Sequence, residues 1–181
     1  MVANHNSHAD GVTLMTSVPV DRLAITYPVA AEDYFGKSKL SAFLSWFLIN
    51  LLLIPRKRDE KNPKRDPICI MDSYLKNGKS LIFFPEGSRG KAGKIQGFKK
   101  GLGYLMKENM NIPIIPVYLE GIGRVLPKGN KIMLPGITKI YFGNPIFLEN
   151  ESVEEILEKA ENAVHDLKNR CDNNNSSNLR E

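Results

Sequence analysis

The chain is poor in the residues that build disulfide-stapled, metal-stabilised or membrane-spanning proteins. Only two of its 181 residues are cysteine. Cys69 and Cys171 are too few and too far apart for a disulfide framework or a zinc site, so a reducing compartment is expected. Histidine occurs three times, as His5, His8 and His165. Residues 1–13 contain no apolar core segment, so no secretory signal peptide is expected there. The long charge-free run is LSAFLSWFLINLLLIP, residues 40–55. As a helix it would span about 24 Å, short of the roughly 30 Å of a bilayer's hydrocarbon. It also ends in proline and carries Ser41, Ser45 and Asn50, so it is not expected to span. Two readings stand side by side: a buried core helix, or one dipping into a single leaflet, flanked by Lys37 and Lys39 before it and Arg56, Lys57 and Arg58 after it.

What is present suits one α/β domain over residues 1–170. The hydrophobic share of 42% and charged share of 25% are those of an ordinary globular chain, long enough to bury a core. A formal net charge of +5 favours anionic partners such as phosphate esters, nucleic acid or an anionic membrane face. Nucleic acid is the poorest of these. The basic stretch 56–65 is interrupted by Asp59 and Glu60 and holds no aromatic residue for base stacking.

Along the chain, R-L-A-I-T-Y (22–27) reads as a short strand and the apolar run from Leu40 through residue 54 as a helix. P-R-K-R-D-E-K-N-P-K-R-D-P (55–67) reads as a surface loop. A helix is expected over 68–75, closed by Asn77-Gly78, and a buried strand over 79–85, stopped by Pro85. Phe98, Leu102, Leu105 and Met106 share one face of a helix over 97–108. I-P-I-I-P-V-Y-L (112–119) reads as a strand that its prolines confine to a short or edge position, and 138–148 as one or two strands. In the last helix Ser152 and Glu155 form a capping box, and Val153, Ile156, Leu157, Ala160, Val164 and Leu167 form an apolar stripe. His165 lies on this helix as a surface residue. The polar tail 171–181 is expected to be disordered. Strands alternating with helices, without internal repeats, indicate an α/β fold.

Two polar stretches offer chemistry. The first is N-H-N-S-H-A-D, residues 4–10. H-x-x-H-x-D is not a usual zinc spacing, whereas His5 and Asp10, five residues apart, meet in a tight loop or first helical turn. Asp10 then fixes the imidazole tautomer and leaves the other ring nitrogen as a base. The second is F-F-P-E-G-S-R-G, residues 83–90, at the C-terminal edge of a strand, where α/β sheets place ligands. There Gly87 permits close approach, Ser88 carries a hydroxyl, and Arg89 offers a fork suited to phosphate. Glu86 either accepts a substrate hydroxyl or holds Arg89; as an ordinary turn, Glu86 and Arg89 would pair at the surface. Ser88 as a nucleophile is disfavoured, because E-G-S-R-G is not the G-x-S-x-G elbow.

Taken together, N-H-x-S-x-x-D at 4–10 and F-P-E-G-S-R at 84–89 resemble the first and third motifs of the glycerolipid acyltransferase family, which includes lysophosphatidate and glycerol-3-phosphate acyltransferases. L-L-L-I-P-R (51–56) is similar to the second motif, with Arg56 at its arginine and Asn50 where a glycine is common. G-F-K-K-G (97–101) resembles the segment after the third motif, and I-P-I-I-P-V (112–117) the fourth, with Pro116 as its proline. The resemblance covers residues 3–148, most of the chain.

It implies a glycerol-3-phosphate acyltransferase-like fold, a mixed sheet flanked by helices. It also implies an O-acyltransferase that moves a fatty acyl group from acyl-CoA or acyl carrier protein to the hydroxyl of a lysophospholipid, 1-acylglycerol-3-phosphate first among them. His5 is the implied base and Asp10 its orienter. Arg56, Glu86, Gly87, Ser88, Arg89 and Pro116 are the implied substrate-binding residues, and His8 has no catalytic role. No metal or other cofactor is implied, and the setting is peripheral, on the cytoplasmic face of a membrane. Only Met1, Val2 and Ala3 precede the histidine motif. The domain is therefore expected to be truncated, without the family's membrane helices and a full first strand. The alternative is a truncated, non-catalytic module that binds phosphate at a lipid surface.

Overall fold

The computed structural model describes residues 1–34, 50–57, 59, 61–125 and 134–177. The chain divides into two compact units, residues 1–10 with 84–181, and residues 11–83. Both combine strands with helices; among the described residues the strand ladders are parallel and antiparallel in the first unit and parallel in the second.

The first unit holds a three-stranded sheet in the order β1 (Val2–Ala3), β5 (Pro116–Glu120), β6 (Lys139–Phe142). β1 runs parallel to β5, with Val2 opposite Pro116 and Ala3 opposite Val117. β6 is antiparallel to β5, which makes β5 the central strand; of the short or edge position its prolines suggested, it is short, starting only at Pro116, and not at an edge. Pro116 is tolerated because it is the first residue of the strand. Its carbonyl still accepts the Gly143 N–H at 2.9 Å, so only the outermost ladder bond is forgone. No full strand is expected ahead of the histidine motif, yet two residues make a short one, since the Val2 N–H reaches the Ile115 carbonyl at 2.9 Å.

One face of β5 is covered by α6 (Val153–Ser177). Its capping box is formed as the residues imply: the Ser152 N–H donates to Glu155 at 2.7 Å and the Glu155 N–H to Ser152 Oγ at 3.2 Å. Ile156, Ala160, Val164, Leu167 and Cys171 are buried along one stripe. The tail expected to be disordered is instead helical as far as Ser177. Cys171 extends the apolar stripe by one turn and packs with Tyr118, Val164 and Leu167, which extends the helix beyond its polar composition. The helix expected over 97–108 is shorter, α4 (Gly101–Lys107), with Leu102, Leu105 and Met106 buried. A single turn, α5 (Ile122–Val125), follows β5.

The second unit holds strands in the order β3 (Leu52–Ile54), β2 (Thr26–Ala31), β4 (Ser80–Ile82), all parallel. It also holds α2 (Val20–Leu23) and α3 (Pro67–Lys76), and α1 (Asp10–Met15) leads into it. The expected strand 22–27 is displaced. Val20–Leu23 is helical, closed by the Arg22 N–H on the Pro19 carbonyl, and the strand begins at Thr26, where pairing with Ser80 becomes available. Leu52–Ile54, expected as the end of a helix, is a strand; a short apolar run does not by itself distinguish the two. The rest of that expected helix, 40–49, lies outside the described residues. α3 starts and stops where its residues imply: Asp66 caps it through the N–H groups of Ile68 and Cys69, and Gly78 follows at φ +70. Asn50, standing where a glycine is common, adopts φ +50 and donates to the Leu23 carbonyl at 2.9 Å. Asparagine is among the few side-chain-bearing residues that tolerate that region. Among the described residues no helix is long and apolar enough to cross a membrane.

Candidate active site

β1 ends at Ala3 and the chain turns into the histidine loop, which Asp10 organises. Asp10 is fully buried, and its Oδ2 accepts from the backbone N–H groups of Asn6 at 2.7 Å and Ser7 at 2.8 Å and from His5 Nδ1 at 2.8 Å. Facing a carboxylate, Nδ1 carries the proton, which leaves Nε2 as the basic nitrogen. The His5 side chain keeps 22% of its surface exposed, enough to meet a ligand. Its ring stacks on Phe84 at 4.4 Å between centroids and 22° between planes. Rotation of the ring is thus limited by Asp10 on one edge and Phe84 on one face.

The loop backbone is held as closely. The His5 N–H donates to Glu86 Oε1 at 2.9 Å, and the His5 carbonyl accepts the Gly90 N–H at 2.8 Å. Asn6 Nδ2 reaches the carbonyls of Lys91 at 2.8 Å and Lys94 at 3.1 Å. The two polar stretches, some eighty residues apart in sequence, therefore form one constellation, and Glu86 is the link. The sequence offered it a substrate hydroxyl or Arg89 as partner; the bond the geometry displays is a different one, to the backbone of the histidine loop. Glu86 is 1% exposed. Burial drives its carboxyl up to about 7, with the nearby Asp10 charge adding to the rise and hydrogen bonds from the His5 and Gln96 N–H groups and the Gln96 side chain opposing it.

Gly87 follows at φ +69, a conformation glycine takes without strain. A Cβ there would meet the Lys99 side chain, its Nζ 2.9 Å away. Gln96 Nε2 donates to the Ser88 carbonyl at 3.3 Å and covers Gly90. Ser88 and Arg89 lie on the same turn. His8 is exposed on the histidine loop; desolvation of its ring, then the Arg89 and His5 charges, hold it below its ordinary value against the opposing charge of Asp10.

Arg56 and Pro116, also expected at the site, are held by other partners. Arg56 belongs to the second unit, where its Nε donates to both oxygens of Asp33, at 2.9 and 2.6 Å. Pro116 is buried at the head of β5 against β1, a part of the platform that carries the loop. His165 is on the surface of α6, 4.0 Å from Glu161. Phe84, Gln96 and Lys99 went unassigned in sequence. Lys99 had a signal, the G-F-K-K-G segment, but which lysine lies over Gly87 follows from the Lys99 N–H bonding to the Pro85 carbonyl at 2.9 Å.

The arrangement offers an oriented imidazole base beside a glycine turn carrying a hydroxyl and two cationic side chains, Arg89 and Lys99. A family model described as Acyltransferase matches residues 1–120. A chloroplastic 1-acyl-sn-glycerol-3-phosphate acyltransferase of Brassica napus is 26% identical over 173 residues, covering 93% of this chain and 46% of its own length. A 1-acyl-sn-glycerol-3-phosphate acyltransferase of Chlamydomonas reinhardtii is 31% identical over 136 residues, 70% of this chain and 39% of its own. The chain thus spans less than half the length of these curated relatives. The crystal structure of the 1-acyl-sn-glycerophosphate acyltransferase PlsC from Thermotoga maritima has the same fold, with a TM-score of 0.65 at 24% identity over 92% of this chain and 65% of that one. The matched region contains both the histidine loop and the E-G-S-R turn, and the chain belongs to the acyltransferase family.

Proposed function

We propose that this chain is the acyl-transfer domain of an O-acyltransferase that moves a fatty acyl group from a thioester donor to the free hydroxyl of 1-acylglycerol-3-phosphate, in phospholipid biosynthesis. The observation that carries the reading is the His5–Asp10 pair, with Nδ1 on a fully buried carboxylate at 2.8 Å and the ring still partly exposed. The relatives' names support the acceptor.

In this reading Nε2 of His5 takes the proton from the acceptor hydroxyl as its oxygen attacks the thioester carbonyl carbon. The tetrahedral species collapses with cleavage of the C–S bond, and the proton held on His5 passes to the departing sulfur. Asp10 keeps Nδ1 protonated and balances the charge that His5 gains. No acyl-enzyme is formed, in keeping with the missing nucleophile elbow. Arg89, Lys99, Ser88 and the Gly87 backbone receive the acceptor's phosphate and glycerol. The donor is acyl-CoA or acyl carrier protein, used as a co-substrate and not as a resident cofactor. The protein works peripherally at the cytoplasmic face of a membrane, a placement supported by the net charge of +5 and the apolar run of 40–55 between basic flanks.

The test is direct. Purified chain, lysophosphatidate and a labelled acyl-CoA or acyl carrier protein are incubated, and labelled phosphatidate is measured for the wild type and His5→Ala. The wild type is expected to make phosphatidate and the variant to lose at least about 10²-fold in kcat with its fold intact. Equal turnover in both sinks the mechanism; no turnover in the wild type with either donor favours the non-catalytic module.

A further inference from the structure

Glu86 is the most deeply buried titratable group at the site after Asp10, and it does something the acyl-transfer chemistry leaves unassigned. One oxygen accepts the His5 N–H at 2.9 Å, and Gln96 approaches the same carboxyl with its N–H and its side chain. The groups that act on its carboxyl are the His5 N–H and Asp10 on the histidine loop and Gln96 on the loop that follows the turn. A residue 1% exposed, with one oxygen already engaged, presents little to an incoming glycerol hydroxyl.

What it does present is a grip on the base. Glu86 holds the N–H of His5 and Gly90, four residues further on, holds the carbonyl, so the turn clasps the His5 peptide from both ends. Asp10 sets the rotation of the ring; Glu86 and Gly90 set where the ring is rooted. A backbone carbonyl would suffice to satisfy one N–H. A buried carboxylate is a costlier acceptor, and burial raises its carboxyl to about 7. What it adds is negative charge at the root of a histidine that becomes cationic as the proton moves.

We propose that Glu86 is a positioning residue for His5, clasping its backbone and supporting its charged form, and not a contact for the acceptor. The proposal rests on the acyl-transfer reading for its kinetic consequences, but the clasp itself is measurable without turnover.

The experiment compares the full chain with Glu86→Gln, which keeps an acceptor oxygen at similar volume, and Glu86→Leu, which removes it. In kinetics with 1-acylglycerol-3-phosphate and acyl-CoA, Glu86→Gln is expected to lose roughly tenfold and Glu86→Leu about 10²-fold or more in kcat. The acceptor KM stays within about twofold in both, because no ground-state contact is lost. A raised acceptor KM with kcat preserved overturns the proposal. In parallel, ¹H–¹⁵N spectra follow hydrogen exchange of the His5 amide. Protection retained in Glu86→Gln and lost in Glu86→Leu, while the amides of β5 stay protected, supports the clasp; unchanged protection in Glu86→Leu overturns it. If the wild type transfers no acyl group, the acyl-transfer reading fails by itself, and the amide measurement decides the clasp.

Discussion

The side chain of Asn4 pairs with the backbone of Leu119 in both directions. The Leu119 N–H donates to Asn4 Oδ1 at 2.7 Å, and Asn4 Nδ2 donates to the Leu119 carbonyl at 3.1 Å. Those two backbone groups face the side of β5 on which β1 lies, and β1 ends one residue earlier, at Ala3. Asn4 thus completes the ladder with its amide while its own backbone is freed to turn into the histidine loop. Nδ2 also donates to Asn6 Oδ1 at 2.8 Å, tying the completed ladder to the loop.

Asn4→Ala is expected to strand both Leu119 groups in a buried position, at roughly 2–3 kcal/mol of stability. Urea unfolding measures this. Activity should fall with stability retained at low temperature, since the loop loses its root before the fold is lost. Asn4→Asp, which keeps only the acceptor half, should be intermediate in kcat at low temperature.

Asp10→Asn tests the tautomer argument. The amide keeps the volume but replaces a charged acceptor of three hydrogen bonds with a neutral one. The expected loss in kcat is on the order of 10³-fold with acceptor KM little changed. A comparable KM increase with kcat held would assign Asp10 to substrate binding.

Gly87→Ala separates backbone strain from crowding. The added Cβ meets only the far end of the flexible Lys99 side chain, which moves at little cost, so the penalty should come from φ +69. That amounts to roughly 1–2 kcal/mol. Gly87→Asn should cost less than Gly87→Ala despite its larger side chain, because asparagine tolerates left-handed backbone. The reverse order in thermal unfolding would place the constraint in Lys99 instead.

The buried Glu86 makes stability depend on pH. In the native protein its carboxyl is raised from 4.5 to about 7, so the folded chain holds this proton more tightly than the unfolded chain. Between these values the native state binds more protons, and stability falls as pH rises, the loss being complete once Glu86 ionises in the fold. At 1.36 kcal/mol per unit the contribution is about 3 kcal/mol. Glu86→Gln should flatten this slope in urea unfolding between pH 4.5 and 8. An equal slope in both proteins would assign it to other groups.

Features encoded in short windows are legible in the amino-acid sequence alone. The capping box at Ser152 and Glu155, the stripe of α6, the Asn77–Gly78 end of α3 and the His5–Asp10 pair all rest on contacts a few residues apart. Local hydrogen bonds and periodicity operate at that range. The turn at Glu86 to Arg89 is legible as a site, but its partner is not. Glu86 meets His5 across 81 residues, a separation that no local hydrogen-bonding rule spans.

Tertiary structure decided the remainder by burial and pairing. The short run Leu52–Ile54 became a strand because β2 lay beside it, and β5 became central because Pro116 falls at its first residue. Helix α6 outran its polar composition because Cys171 had Tyr118 to pack against. Which side chain stacks on His5, and which lysine lies over Gly87, follow from loop bonds such as Gly90 to His5 and Lys99 to Pro85. The sequence by itself determined the chemistry available, an imidazole with a carboxylate and an anion-binding turn. Only the tertiary structure decided that the turn's own carboxylate holds the base, because that bond joins groups no sequence window contains.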